Sequence, residues 1–559
     1  MHKQQALAQI NATLLAKGFR EKSGIVPEYE GHIRVHGKPV SVAIAIPDAS
    51  FSNLPIVKLK DKGQLSPVIV GHLSGQGADD TTICYASQVG LPLDLTNPGG
   101  SILRVLEEAA KALEISYNNR GIAEVTNEYQ DYWRDGLLSF RIFASRTPPS
   151  SNPLRLGYFR MEQGIGEPFF GLHSDGKLDG HKCDKLADAM LFQTSKPITP
   201  VGKIKVPFTL AHLKQWFLGQ EEMDEAKWDA AFRLLSKRGL LAISAPNCVL
   251  GVRLNLPHDL KVGQDTGKIR QTKIPDLLMS RKESVQLTRF GGYWCDLASL
   301  AERNLKGMTT FADKTIALVG CGTIGGYLAK FLAQSGAGAN KPLFLIDRQL
   351  LSPGNIGRHL LGTAYIGMPK AEALRDELKR FHPDCDARAV SDEFAACLDV
   401  VRSADLIVDA SGEWNTQCAL NGQFFEDQEI KAEAILHSWI CGNGAAVQSF
   451  TNLKGDDFCF RCMRPDPSKP SRYTALNPKT EAVIEEATCG DGAYFPYSVA
   501  APSMAAGLTL EMALGVINGK PGSRLRTIVL DHKRGIERKP TTPTAHKDCP
   551  SCKARAASD

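Results

Sequence analysis

The sequence contains no run of about eighteen apolar residues, so no membrane-spanning helix is expected. Strong charge of either sign is also missing. The 66 Lys and Arg against 61 Asp and Glu leave +5 on 559 residues, too little to demand a nucleic-acid partner. No internal repeat or low-complexity tract occurs, which argues against solenoids and disordered arrays. The opening stretch MHKQQALAQINATLLAKGF follows a helical pattern but has no long apolar segment, so it does not read as a secretion signal. The fourteen cysteines are scattered, several in apolar settings such as NCVLGV and VGCGTI. Without a secretion signal they point to reduced thiols in the cytoplasm plus one metal site, not to a disulfide framework.

The length exceeds one hydrophobic core and suggests roughly three domains. Residues 1–145 open with a helix and give the strand patterns HIRVHGKPVSVAIAI and PVIVGHL, then the helix SILRVLEEAAKALEIS, an α+β order. The breaker-rich SRTPPSSNP marks a boundary to a small α+β linker domain over residues 146–285. There LAHLKQWFLG and DEAKWDAAFRLLSKRGLLAIS read as two helices entering a strand, a winged-helix-like pattern. No dense basic helix with interleaved aromatics accompanies it, so a spacer role is preferred to contact with nucleic acid. Over residues 286–559, TIALVG, PLFLID, ADLIVDA and AVQSF are strand candidates, with helical patterns between the first three, which predicts a doubly wound parallel sheet.

The sharpest motif is TIALVGCGTIGGYLAKFLAQSG. A buried strand enters Gly320-x-Gly322-x-x-Gly325 and a helix follows. The first glycine permits a tight turn, the second lets phosphate approach the backbone, and the third allows close helix–strand packing. The helix N-terminus then offers free amides to an anion. Asp347 ends the next strand, where a ribose-binding carboxylate is expected. A dinucleotide oxidoreductase is the default owner of this pattern. Asn355, Arg358 and Lys370 follow within a short stretch, however, and such a concentration of donors suits a triphosphate better than a nicotinamide. Asp409 ends a further strand and is a residue type that binds magnesium beside phosphates.

This order of residues resembles the adenylation domain of ubiquitin-activating (E1-type) enzymes and their bacterial relatives of the ThiF type, which serve molybdopterin and thiamine synthesis. The resemblance implies that Asp347 holds the ribose of ATP. It further implies that Asn355, Arg358 and Lys370 contact phosphates, with Arg358 also acting in catalysis, and that Asp409 binds Mg2+. The family often has Asp-x-Asp where this chain has Asp347-Arg348-Gln349, so the second carboxylate is gone.

Cys459 and Cys462, with Cys549 and Cys552, form two C-x-x-C pairs and supply four thiolates, the full set for a closed zinc site. Inert buried thiols and a redox pair are the alternatives. The E1-type family often carries two such pairs late in its adenylation domain, which favours structural Zn2+. Between the pairs stands Cys489, ahead of a glycine-rich turn and a long apolar helix. By resemblance to the thioester-forming members it is the cysteine that attacks the acyl-adenylate; a buried structural cysteine is the plain alternative.

Beside such a domain, residues 1–145 resemble a ubiquitin-conjugating (E2-type) fold. His72 precedes Ile83-Cys84 by about the distance that family keeps before its catalytic cysteine. Its His-Pro-Asn is replaced by His72-Leu73-Ser74, so the oxyanion-supporting asparagine is missing. The resemblance implies that Cys84 is the transthiolation nucleophile, with a core cysteine beside a strand as the plain alternative, and His72 is expected to be structural and not a proton shuttle. The order conjugating–linker–activating resembles the fused enzymes of bacterial antiphage (CBASS) operons. That resemblance implies a homodimer that activates a protein with a flexible C-terminal tail, a cGAS-like nucleotidyltransferase or a ubiquitin-like protein. The alternatives are an adenylating enzyme for a sulfur-carrier protein in cofactor biosynthesis and a non-catalytic Rossmann-type binding protein.

Overall fold

Helical spacing at the N-terminus forms α1 (Lys3–Ala16), which buries Ala6, Ile10 and Leu14. The computed structural model describes residues 3–61, 72–74, 82–86, 90–115, 121–136, 138–143, 154–173, 178, 180–202, 204–481, 483–486 and 493–552. They divide into two units, Met1–Tyr293 and Trp294–Asp559.

In the first unit, strands β1 (Arg20–Lys22), β2 (Glu28–Val35), β3 (Lys38–Ala45), β4 (Ile56–Leu59), β5 (Leu73–Ser74) and β6 (Thr82–Ile83) form one sheet in the order β1-β2-β3-β4-β6-β5. Alternate residues of β2, Tyr29, Ile33 and Val35 among them, face the core. His36 and Gly37 join β2 to β3 with φ of 48° and 77°, the two-residue turn whose twist suits a hairpin. Helix α2 (Pro98–Ile115) adds Ile102, Val105, Ala109 and Leu113 to the same core. The strand candidate PVIVGHL lies mostly outside the described residues.

A second sheet in this unit departs from expectation. After α3 (Gly121–Asn127) and α4 (Tyr129–Trp133) come β7 (Ser139–Ile142), β8 (Leu154–Met161), β9 (Phe169–His173) and β10 (His181–Gln193). Helices α5 (Leu210–Leu218) and α6 (Glu225–Leu235) then enter a hairpin of β11 (Leu240–Ala245) and β12 (Cys248–Leu254). After α7 (His258–Asp265) and α8 (Ile274–Ser280), β13 (Leu287–Trp294) completes a closed barrel, ordered β10-β11-β12-β13-β7-β9-β8. The winged-helix pattern is therefore local, because its hairpin supplies two staves of a barrel. The boundaries expected near 145 and 285 both cut this barrel, since β7 precedes the first and β13 follows the second. Its core holds Trp133 and Trp216 with ring centres 4.7 Å apart. Their indole N–H groups donate to Gly251 O at 2.9 Å and Tyr129 Oη at 2.6 Å, so neither is buried without a partner.

The second unit carries the expected doubly wound sheet. After α9 (Leu297–Asn304) run β14 (Ile316–Val319), α10 (Thr323–Gln334), β15 (Leu343–Ile346), α11 (Lys370–Phe381), β16 (Ala387–Val390), α12 (Leu398–Ser403), β17 (Leu406–Asp409), α13 (Trp414–Glu426), β18 (Ala434–Cys441) and β19 (Ala446–Leu453). A short pair, β20 (Glu485–Glu486) and β21 (Ala493–Tyr494), precedes α14 (Ala500–Ile517) and β22 (Leu525–Val529). The order is β16-β15-β14-β17-β18-β19-β22, parallel from β16 to β18 and antiparallel beyond. The chain runs outward from β14 to β16 and then returns to β17 on the other side. That reversal opens a crevice beyond the carboxyl ends of β14 and β17.

Helix α14 is long and apolar enough to cross a membrane, a feature the opening reading did not register. It packs as a core helix. Ala505, Ala506, Met512 and Ala513 are buried, and Thr509 Oγ1 donates to Ser438 Oγ at 2.9 Å and meets Ser449 Oγ at 3.0 Å.

Candidate active site

The glycine loop sits at that crevice, and its three glycines have separate duties. Gly320 has φ +91°, and a Cβ there would lie 2.6 Å from Ser411 N. Gly322 caps α10, and no described residue comes within 4 Å of a would-be Cβ, which leaves that face free for a ligand among the described residues. A Cβ on Gly325 would stand 1.8 Å from Gly320 O. The cavity in front, about 190 Å3, is walled by Gly320, Gly322, Asp347, Gln349, Ser411 and Glu413 among others.

Asp347 ends β15 as expected and lines the cavity. Its Oδ2 accepts from Cys321 N at 2.7 Å and its Oδ1 from Gln349 N at 2.8 Å, which fixes the carboxylate beside the glycine loop. Gln349, which replaces the second acid, accepts from Lys370 Nζ at 2.7 Å. Lys370 is itself buried and stands behind the wall. Asn355 and Arg358 are not on the wall either. Asn355 Oδ1 accepts from Ser352 N at 3.1 Å and so closes its own turn. The Arg358 guanidinium lies 4.9 Å from the Tyr497 ring and 5.5 Å from the Tyr494 ring, and its buried Nε has no hydrogen-bond partner among the described residues.

Asp409 is the last residue of β17. It is fully buried, away from the cavity, and both oxygens are engaged within the protein. Oδ1 accepts from Ser411 N at 2.9 Å and Ser411 Oγ at 2.7 Å, and His437 Nδ1 is 2.8 Å from Oδ2. Glu413, four residues on, lines the cavity, as do Asp392 and Glu393.

Two supporting histidines escaped the sequence reading. His359 is buried, with Nε2 2.8 Å from Cys321 O and Nδ1 accepting from Leu361 N at 3.1 Å. Burial lowers its pKa, so the ring stays neutral and braces the glycine loop. His437 braces Asp409. His437 stands in a strand whose sequence carries no motif, and His359 directly follows Arg358 but is not itself part of that pattern.

The four cysteines of the two C-x-x-C pairs come together. Their sulfurs all lie within 4.8 Å of one another, with Cys459–Cys549 at 3.6 Å and Cys462–Cys552 at 3.3 Å. A tetrahedral zinc with bonds of about 2.3 Å spaces its sulfurs by about 3.8 Å, so the set fits that ion. Arg472 pins the two segments together by donating to Cys462 O at 3.0 Å and Thr544 O at 3.1 Å. Cys489 lies outside the described residues.

In the first unit Cys84 is exposed at the end of β6. Its N–H donates to His72 O at 2.7 Å, and the His72 N–H donates to Tyr132 Oη at 2.6 Å. Tyr132 Oη donates in turn to Glu128 at 2.8 Å. The His72 ring nitrogens lie 3.7 Å from Glu124 and 3.7 Å from Glu128. His72 thus anchors the Cys84 backbone, while its ring lies between two carboxylates.

Comparison with known proteins agrees with this division. Residues 296–551 match the ThiF family, and residues 4–140 match prokaryotic E2 family B. Two similar proteins run nearly the full length. One is the ATP-dependent ubiquitin transferase-like protein Cap2 of Pseudomonas aeruginosa, 26% identical over 94% of this chain and 95% of its own. The other is Cap2 of Escherichia coli, 29% identical over 86% of each. An adenylyltransferase and sulfurtransferase of Sus scrofa, MOCS3, is 26% identical over 46% of this chain and 52% of its own.

Proposed function

We infer that a chain joining a prokaryotic E2-like module to a ThiF-type adenylation module activates a protein C-terminus with ATP and conjugates it to a target. The cleft carries this reading, with an open glycine face at a helix N-terminus and a fixed carboxylate at the next strand end. The amides of the loop and the start of α10 face the phosphates, and Asp347 accepts from the ribose hydroxyls. Arg358, held against two tyrosines with Nε unpaired among the described residues, is a cation in reserve for phosphate, Lys370 supports the wall through Gln349, and Asn355 contacts phosphate in our reading. Glu413 and Asp392 are the oxygen donors placed to hold magnesium, which would offset phosphate charge when bound.

The substrate carboxylate attacks the α-phosphorus of ATP, forming an acyl-adenylate and releasing pyrophosphate. The Cys489 thiolate then displaces AMP to form a thioester, and Cys84 takes the acyl group by thiol exchange before passing it to an amine. The exposure of Cys84 suits a step between two proteins. Cys459, Cys462, Cys549 and Cys552 would hold a structural zinc, and four thiolate ligands would leave it no open position for chemistry.

The partner is a protein with a flexible C-terminal tail, in our reading the cGAS-like nucleotidyltransferase of a CBASS system. The enzyme works as a cytoplasmic homodimer. The near full-length similarity to the Cap2 proteins supports this fused reading over sulfur-carrier adenylation, which needs no conjugating module. Substituting Cys84→Ala tests it. ATP–pyrophosphate exchange persists under both readings, and loss of a protein conjugate is expected only for the fused enzyme.

A further inference from the structure

A chain of buried polar groups joins the cysteine-bearing turn to the nucleotide cleft. Phe460 lies between Cys459 and Cys462, and its N–H donates to Asn421 Oδ1 at 3.0 Å. With Oδ1 committed to a backbone donor, the Asn421 amide has its orientation fixed, and Nδ2 must donate. It donates to Asn452 Oδ1 at 2.9 Å and to His437 Nε2 at 3.1 Å. Because Nε2 accepts, the imidazole proton sits on Nδ1, which donates to Asp409 Oδ2 at 2.8 Å. Asp409 Oδ1 then receives the N–H and hydroxyl of Ser411, which lines the cleft. The Phe460 ring also packs on the His437 ring, with centres 4.5 Å apart.

Asp409 and His437 are 0% exposed and Asn421 is 2% exposed. Such a network in the interior is costly unless every member is satisfied, and an apolar core would fill the space more simply. The donors run from the cysteine turn through Asn421 and His437 to Asp409, and from the cleft side Ser411 donates to the same carboxylate. Gly412, between Ser411 and Glu413, has φ +69°, so the turn that Asp409 holds is one the backbone would not favour with most residues.

We propose that His437 is a positioning residue for ATP. Through Asp409 it holds Ser411 and the turn to Glu413 beside the glycine loop, and through Asn421 it takes its orientation from the turn bearing Cys459 and Cys462. A divalent cation in the four-cysteine site keeps that turn closed and the Phe460 N–H aimed. Loss of the cation frees the Asn421 amide to rotate, and the nucleotide wall loosens. The cation thereby supports nucleotide binding without touching the nucleotide. The inference rests on the reading of ATP as the cleft's occupant.

Calorimetric titration of the full chain with MgATP tests it, with zinc content measured on each sample. His437→Leu should weaken ATP binding about tenfold while zinc is retained, because Asp409 loses its donor. His437→Gln, which can donate an amide proton to Asp409, should recover part of the loss. Stripping zinc from the wild type with a chelator should weaken ATP binding by a similar factor, and stripping His437→Leu should add little. Ser411→Ala removes only one hydroxyl and should also weaken ATP, which keeps the test open if His437→Leu does not fold. Wild-type ATP affinity in His437→Leu, or in both Ser411→Ala and zinc-stripped wild type, would overturn the proposal. So would equal losses on stripping the two proteins. Failure of untreated wild type to bind ATP is a different result, and it would remove the cleft assignment along with the relay.

Discussion

The position of a Cβ on Gly325 lies 1.8 Å from the carbonyl oxygen of Gly320, closer than any two nonbonded heavy atoms can stand. Helix α10 can approach the end of β14 only because that carbon is absent. Gly325→Ala should therefore cost about 3 kcal/mol or more and lower the melting temperature. Gly322 has open space at the same point, so Gly322→Ala should melt like the wild type yet bind ATP more weakly. Thermal melts beside ATP titrations separate the two.

The zinc assignment predicts one metal per chain by elemental analysis. Cys459→Ser or Cys549→Ser should lose that metal and lower the melting temperature by roughly 5–10 °C, since the clamp joins chain segments ninety residues apart. Retention of full metal content by both variants would refute a four-cysteine site.

His359 gives a pH signature. Burial lowers its pKa below the usual 6.5, so below that pH the unfolded chain takes up a proton that the folded chain refuses. Stability should fall as pH drops from about 6.5 toward the lowered folded value. In His359→Gln that part of the slope should vanish, as followed by chemical denaturation from pH 7.5 to 5.5.

Cys84→Ala should leave ATP–pyrophosphate exchange unchanged and abolish the protein conjugate on a denaturing gel. An unchanged conjugate would move the final transfer to another residue.

How much of this was legible in the sequence follows from how local each feature is. The glycine loop and Asp347 were readable because a strand, a turn and a helix start dictate them within a few residues. The four cysteines were readable because C-x-x-C spacing sets two ligands locally and chemistry demands two more. The buried setting of Asp409 was not legible, for the opposite reason. Strand-end position does not say whether a side chain turns to the cleft or to a partner, and its partner His437 stands 28 residues further on. The barrel was illegible because its closure depends on distant pairings, β7 with β9 and β10 with β11. The strand β18 was passed over, although it carries His437 and Ser438 into the core.

Equilibrium titration of the full chain with MgATP and, separately, with NADH tests the central claim most directly. The account predicts that ATP binds, that Gly322→Ala weakens it, and that NADH does not compete. Saturable NADH binding at the glycine loop with no response to ATP would contradict it.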